Sequence, residues 1–289
     1  MYYISMSWQA FILVSVLFLS VGTLFQRIAM KEKESDPWSF SVIFQILVAS
    51  LIYLWTLFTS ETINLSVPIY HPNIVLMTGL WALANILIYN AFKTIQASTF
   101  SILFATRSLF TLITSTIFLG ESVEIYQVFG IALILLGVAI VSVQRKGFSM
   151  GRSGVLAIAA AACVGFANTN DRMVLKLLDV PTYSVISYLF PGIFLLMLKP
   201  TAVKKLKDFK NPSLLGKTIL LALFWVGFGL TFNFALQLAP SAPQVTAMST
   251  TSVVLTVLLS AIFLKERADL GKKIVGAFLA VTGLMLVVK

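Results

Sequence analysis

Arg107 is the residue whose type and place most demand an explanation. It lies in Phe104-Ala105-Thr106-Arg107-Ser108, ten residues into an otherwise apolar stretch over 97–119. A guanidinium at that depth cannot easily reach either edge, and a charge so placed is costly enough to mark a functional position. Its planar fork of donors matches a carboxylate or phosphate through paired hydrogen bonds. The alternative is an arginine turned onto helix carbonyls or a buried acid. A second cluster, Asn168-Thr169-Asn170-Asp171-Arg172, lies toward the end of the stretch 154–177. Asn168 and Arg172, four apart, share a helix face, while Asn170 and Asp171 point elsewhere. Asp171 is a candidate to pair with Arg172, Arg107 or Arg27, or to take up and release a proton. A solvated helix end is the competing explanation. Trp81, Asn85 and Tyr89 stand at i, i+4 and i+8, a polar-aromatic stripe unlike a lipid-facing surface, with Asn90 beside it. Trp225, Phe232, Asn233 and Gln237, and the run Ser249-Thr250-Thr251-Ser252, supply similar groups further on. Together they would line a mixed pocket, although Ser and Thr in apolar helices commonly bond their own backbone or a neighbour.

The elements that must position these residues are transmembrane helices. Of 289 residues 58% are hydrophobic and 11% charged, where ordinary soluble domains carry roughly 25% charged residues. Mean hydropathy is +0.95. A spanning helix takes about 20 apolar residues. Apolar spans read as 8–29, 37–60, 73–93, 97–119, 123–143, 154–177, 181–198, 216–238, 242–264 and 270–288. The expected fold is therefore an all-α membrane protein of ten transmembrane helices, with short loops. The first span lacks a basic leader and a clear small-residue cleavage site, so it is expected to stay in the mature chain. Pro37, Pro181 and Pro243 sit at or near helix starts, where a missing N–H costs little. Pro191-Gly192, inside the seventh span, should kink or break that helix, and broken helices in carriers often mark the substrate region.

The net charge of +10 belongs to topology rather than to nucleic acid. Seventeen of the 21 basic residues fall in odd-numbered loops, from Arg27, Lys31 and Lys33 in the first to Lys265, Arg267, Lys272 and Lys273 in the ninth. The longest basic loop runs from Lys199 to Lys217. The positive-inside rule makes those loops cytoplasmic and both termini external, as expected of a multi-pass protein of the cell (inner) membrane.

Composition also limits the chemistry. A single cysteine, Cys163, in the run Ala159–Cys163, and a single histidine, His71, allow no intrachain disulfide and no plausible zinc site. Cys163 is expected to serve helix packing. No G-x4-G-K-[ST] run is present, and no cofactor is implied. An intramembrane lipid-modifying enzyme would need clustered acids or histidines. The 11 acids lie mostly in loops, and Asp171 alone is arguably buried.

The chain repeats itself. Ser115-Thr116-Ile117-Phe118-Leu119-Gly120-Glu121 reappears as Ser260-Ala261-Ile262-Phe263-Leu264-Lys265-Glu266, with Glu124 and Asp269 three residues further on. Each copy leads into a helix with glycines seven apart, Gly130/Gly137 and Gly276/Gly283, on one face where another helix can approach closely. Ser41-Val42-Ile43 answers Ser184-Val185-Ile186, and Gln26-Arg27 answers Asp171-Arg172. Arg107 falls opposite Thr251-Ser252. The units are residues 1–147 and 148–289. Each holds five spans, an odd number, so the second enters the membrane in the opposite sense. Such inverted repeats typify carriers whose site lies between the halves near the midplane.

Two five-span repeats, each closing on Leu-x-Glu and a Gly-x6-Gly helix at Leu119–Gly137 and Leu264–Gly283, resemble the drug/metabolite transporter superfamily and its EamA-type branch. The resemblance covers essentially the whole chain and speaks to membership rather than to substrate. Its two glutamates are expected in helix-end roles, each carboxylate suiting the N-terminus of the helix that follows. Small multidrug exporters of that superfamily carry a glutamate in the middle of the first helix, where this sequence has Ser15-Val16-Leu17-Phe18. That departure favours a carboxylate-bearing metabolite over a cationic drug. The resemblance thus implies a secondary transporter working by alternating access on a small-molecule substrate in the lipid bilayer, most simply an exporter of amino acids or related metabolites. A drug or toxin exporter with an aromatic pocket is the alternative. A fused ten-helix chain can form its pathway as a monomer, the default, with a dimer as the other option.

Overall fold

Helix starts in this chain are written by short polar caps and by prolines. Asp36 accepts the amide of Ser39 at 3.0 Å ahead of Pro37, and Asp179 accepts that of Thr182 at 2.8 Å. His71 caps the third helix through Nδ1, 3.3 Å from the amide of Asn73. These caps satisfy orphan N–H groups that a bilayer offers no water to meet.

A computed structural model describes residues 7–32, 35–120, 124–144, 147–148, 151–202 and 212–288. Its helices are α1 (Trp8–Lys31), α2 (Pro37–Phe58), α3 (Pro72–Phe92), α4 (Ala97–Phe104), α5 (Arg107–Leu119), α6 (Ile125–Ser142), α7 (Arg152–Val174), α8 (Val180–Leu198), α9 (Pro212–Leu238), α10 (Ala242–Thr250), α11 (Ser252–Phe263) and α12 (Leu270–Val288). A two-residue antiparallel pair, Val143–Gln144 with Gly147–Phe148, joins the halves. Among the described residues, eight stretches are long and apolar enough to cross a bilayer: α1, α2, α3, α4 with α5 (Ala97–Leu119), α7, α8, Leu214–Leu238 of α9, and α10 with α11 (Ala242–Phe263). A shorter apolar helix, Ile125–Val141, closes the first half, and the 19 residues of α12 close the second. The fold is a multi-helix, multi-pass membrane protein, five spans to each half. Lys33, Glu121, Arg145, Lys146, Lys204, Lys205, Lys207 and Lys210 lie outside the described residues.

Helices of the two halves pack in exchanged pairs. The most extensive contacts join α1 to α9 and α3 to α7, and α2 to α8 and α6 to α12. Since α7 repeats α1 and α9 repeats α3, the first two pairs are one interface used twice. The last two join each helix to its own repeat. This is the pattern a two-fold relation between halves requires. The repeated glycines make the α6–α12 contact. A Cβ on Gly137 would lie 2.6 Å from the carbonyl oxygen of Gly276, and one on Gly283 would strike the carbonyl of Gly130.

The breaks fall elsewhere than proline predicts. Helix α8 runs unbroken through Pro191. Gly192 there serves close packing, since its Cβ would meet Gln45 Cβ and Ile46 Cγ1 at 3.2 Å. The fourth and ninth spans are the interrupted ones, at Ala105–Thr106 and at Thr251. At each break the threonine hydroxyl donates to the carbonyl three residues back, Thr106 to Leu103 and Thr251 to Met248, both at 2.7 Å. The threonine amides turn to the same carbonyls at 3.3 and 3.1 Å. This local tightening from i−4 to i−3 bonding bends a helix without proline.

Replacing Gly137 with valine is expected to cost about 1–3 kcal/mol through overpacking, read as a lower unfolding temperature in detergent. Gly79, whose Cβ would meet nothing within 4 Å, is the control. Gly79→Ala is expected to leave that temperature unchanged or slightly raised.

Candidate functional site

The two helix breaks face one another. Ser108 and Thr250 share a hydrogen bond at 3.0 Å, and Arg107 Nη2 donates to Ser249 Oγ at 3.0 Å. Beside this junction lies a partly open cavity, lined from both halves, with about 80 Å³ of room for water-sized molecules. Its polar lining includes Gln26, Gln45, Asn85, Arg107, Asn168 and Asn233. Aromatic walls come from Trp81, Phe104, Tyr183, Tyr188, Trp225 and Phe228 among others. A concave, largely apolar chamber with a few placed polar groups is what small-molecule sites look like.

Arg107 opens α5, so the break sets it on the cavity wall rather than deep inside an unbroken helix. It is 7% exposed. Its guanidinium carbon stands 4.9 Å over the ring of Phe104, a contact that holds a cation without neutralising it. None of the ion pairs among the described residues involves it. Among the described residues this buried positive charge has a hydroxyl partner and no acid.

The sixth-span cluster is not a solvated cap. Asn168, Thr169, Asn170 and Asp171 are all buried, and α7 continues to Val174. Asn168 lines the cavity, and its Oδ1 has no hydrogen-bond partner among the described residues. Asp171 stands one layer behind the wall: its Oδ2 accepts from Trp81 Nε1 at 3.0 Å, its Oδ1 has no hydrogen-bond partner among the described residues, and Tyr183 lies close by. Both of those aromatics face the cavity. Arg172 turns the other way. It donates to the carbonyls of Leu236, Ala239 and Pro240 at 3.0, 2.8 and 2.7 Å, closing the C-terminus of α9. Arg27, its counterpart, donates to the carbonyl of Phe92 at the end of α3. These two arginines serve the same capping role in each half, which takes Arg172 out of the cavity lining.

The remaining candidates divide. Trp81, Asn85, Asn233 and Ser252 line the cavity. Asn85 Nδ2 is occupied by the carbonyl of Trp81 at 2.8 Å, and Asn233 Nδ2 donates to Ser184 Oγ at 2.9 Å. Tyr89 is fully buried behind the wall, edge-on to Phe40 and Phe44, with its hydroxyl 3.4 Å from Gln26 Nε2. Thr251 forms the break instead, its neighbours Thr250 and Ser252 facing the cavity. Gln45, Tyr183 and Ser187 also line it without having been singled out in the sequence. Gln45 carried a signal, an amide inside the largely apolar run Val42–Leu54.

A family model for the EamA-like transporter family matches the chain twice, over residues 6–143 and 152–289. The chain belongs to that family. No curated protein matches it. Among solved structures, a crystal structure whose description names no activity superposes with a TM-score of 0.65 at 15% identity, covering 96% of this chain and 95% of that one. That likeness concerns the fold alone.

In this EamA-like protein the repeated glutamate of the second half does more than end a helix. Glu266 is buried, so Asp171 is not the only buried acid. Its Oε2 accepts the amide of Ala97 at 2.9 Å, at the N-terminus of α4 in the other half, instead of serving the helix that follows it. Its Oε1 lies 3.6 Å from Arg27 Nε and 3.9 Å from Lys31 Nζ. Gln96, the residue before α4, makes no cap of its own, so the carboxylate supplies in trans what the helix start lacks. Glu121, the first-half copy, lies outside the described residues. Lys273 to Gln96 and Lys217 to Glu32 add further ties between the halves at this end.

Glu266→Ala is expected to destabilise the protein by about 3–5 kcal/mol, because it strands the Arg27 charge in a buried position. In a double-mutant cycle Arg27→Ala should recover part of that loss. Additive losses, measured by thermal unfolding, would show that the pair does not interact.

Proposed function

We propose that this EamA-like transporter is a secondary carrier that exports amino acids or related carboxylate-bearing metabolites across the cell (inner) membrane, with cytoplasmic odd-numbered loops and external termini. The observation that carries this reading is Arg107: buried, on the cavity wall, and paired with no acid among the described residues. A substrate carboxylate supplies the missing anion and forms charge-assisted, paired hydrogen bonds with the guanidinium. Aromatic walls hold the remainder of the molecule. Transport then follows alternating access, the halves rocking about the cavity while the ties around Glu266 form and part. Asp171, hydrogen-bonded to the wall residue Trp81 and close to Tyr183, senses occupancy through these aromatics and couples transport to protons. The chain acts as a monomer in this scheme.

The density of aromatic lining favours a second reading, a drug or toxin exporter whose pocket binds flat apolar molecules by stacking.

A thermal-stability screen of purified protein against amino acids, organic acids, nucleotides and cationic dyes separates the two. A ligand at 100 times its Kd should stabilise by about 2.7 kcal/mol. A carboxylate whose effect vanishes in Arg107→Ala is the expected result. Stabilisation by dyes alone, unchanged in that variant, would move the assignment to the second reading. For coupling, Asp171→Asn is expected to keep ligand stabilisation while removing the response of flux to an imposed pH gradient in proteoliposomes. A preserved gradient response would take Asp171 out of the coupling path.

A further inference from the structure

Gln45 is 1% exposed, on the cavity wall, and neither its Nε2 nor its Oε1 has a hydrogen-bond partner among the described residues. A buried amide left without partners loses its hydration with no return, which costs free energy comparable to a lost hydrogen bond for each group. Asn168, in the same cavity, has one atom unpartnered among the described residues, its Oδ1, where Gln45 has two, and three other amides differ further. Gln26, Asn85 and Asn233 each have at least one donor engaged by the protein. Position matters as much as the missing bonds. Gln45 comes from α2, which packs on α3, α8 and α9, whereas Arg107 comes from α5, which packs on α7 and α10. The two therefore stand on different walls. The backbone that carries Gln45 is closely packed: a Cβ on Gly192 of α8 would lie 3.2 Å from the Cβ of Gln45.

We infer that Gln45 is a specificity-determining residue that reads a neutral hydrogen-bonding group at the far end of the substrate. This inference rests on the carboxylate reading of Arg107 and narrows it: the favoured substrates are small carboxylates that carry, beyond the anionic group, a carboxamide-like donor and acceptor. An amide ligand group meets the Gln45 amide reciprocally, donor to acceptor and acceptor to donor. An apolar end of the same shape leaves both Gln45 atoms unpaired, and sites built on hydrogen bonds reject such isosteres strongly.

The test uses the full-length protein and two isosteric pairs of α-amino acids, L-asparagine against L-leucine and L-glutamine against L-homoleucine, with affinities taken from ligand-dependent thermal unfolding. Wild-type protein is expected to favour the amide member of at least one pair by tenfold or more. In Gln45→Met, close in length and volume, that preference should fall at least tenfold while both ligands remain dependent on Arg107. Gln45→Asn, which keeps the amide on a shorter arm, should retain part of it. Binding that depends on Arg107 but shows the same preference in wild type and Gln45→Met would overturn this inference and leave the carboxylate reading standing. Failure of all four amino acids to stabilise the wild-type protein would overturn both. Unfolding temperatures without ligand show whether each variant is folded.

Discussion

A guanidinium at the middle of a bilayer-spanning helix costs at least about 2.5–3.5 kcal/mol to place there, and no acid among the described residues pairs with Arg107. The contacts it does have, one serine hydroxyl and one phenylalanine face, orient the charge without cancelling it. Much of the site follows from accommodating that group. The helix carrying it is broken one residue earlier, the partner span from the other half is broken at the equivalent place, and hydroxyls from both sides stitch the two breaks together. The cavity opens along this seam.

Asymmetry within a symmetric frame is what makes such a seam selective. The backbone device, a threonine hydroxyl folded onto the carbonyl three residues back, is the same in both halves. Arg27 and Arg172 likewise close the ends of α3 and α9. Side chains at and behind the cavity wall differ between the halves: Arg107 answers Ser252, and Gln26 on the wall answers Asp171 behind it. Duplication supplied a scaffold with two equivalent helix breaks, and divergence at wall positions supplied one charge. The Glu266 ties at one end join α1, α4 and the segment before α12.

Much of this was legible in the sequence, for physical reasons that can be named. Spans reveal themselves because hydrocarbon tolerates few alternatives to long apolar helices, and the glycine pairs of α6 and α12 reveal a close contact because nothing larger fits. Arg107 was legible as an anomaly of depth. Pro191 misled: proline removes one donor, but α8 carries it without interruption. The true breaks at Thr106 and Thr251 carry no proline or glycine. Threonines in these helices bond back to their own turns at many other points, Thr23 and Thr78 among them, so composition alone does not single out the two that bend. The trans-capping by Glu266 was hidden because its partners, Ala97 and Arg27, lie in the other half, and only tertiary structure brings them together. Asp171 and Arg172 show the same limit: adjacent in sequence, one serves the cavity wall and the other a helix end.

The most direct test is counterflow in liposomes reconstituted with wild-type protein and with Arg107→Gln, comparing a labelled amino acid with its primary amide, in which the carboxylate is replaced by a neutral group of the same shape. The account predicts that wild-type protein carries the acid and excludes the amide, and that Arg107→Gln loses this discrimination. Equal carriage of acid and amide by the wild-type protein would contradict it.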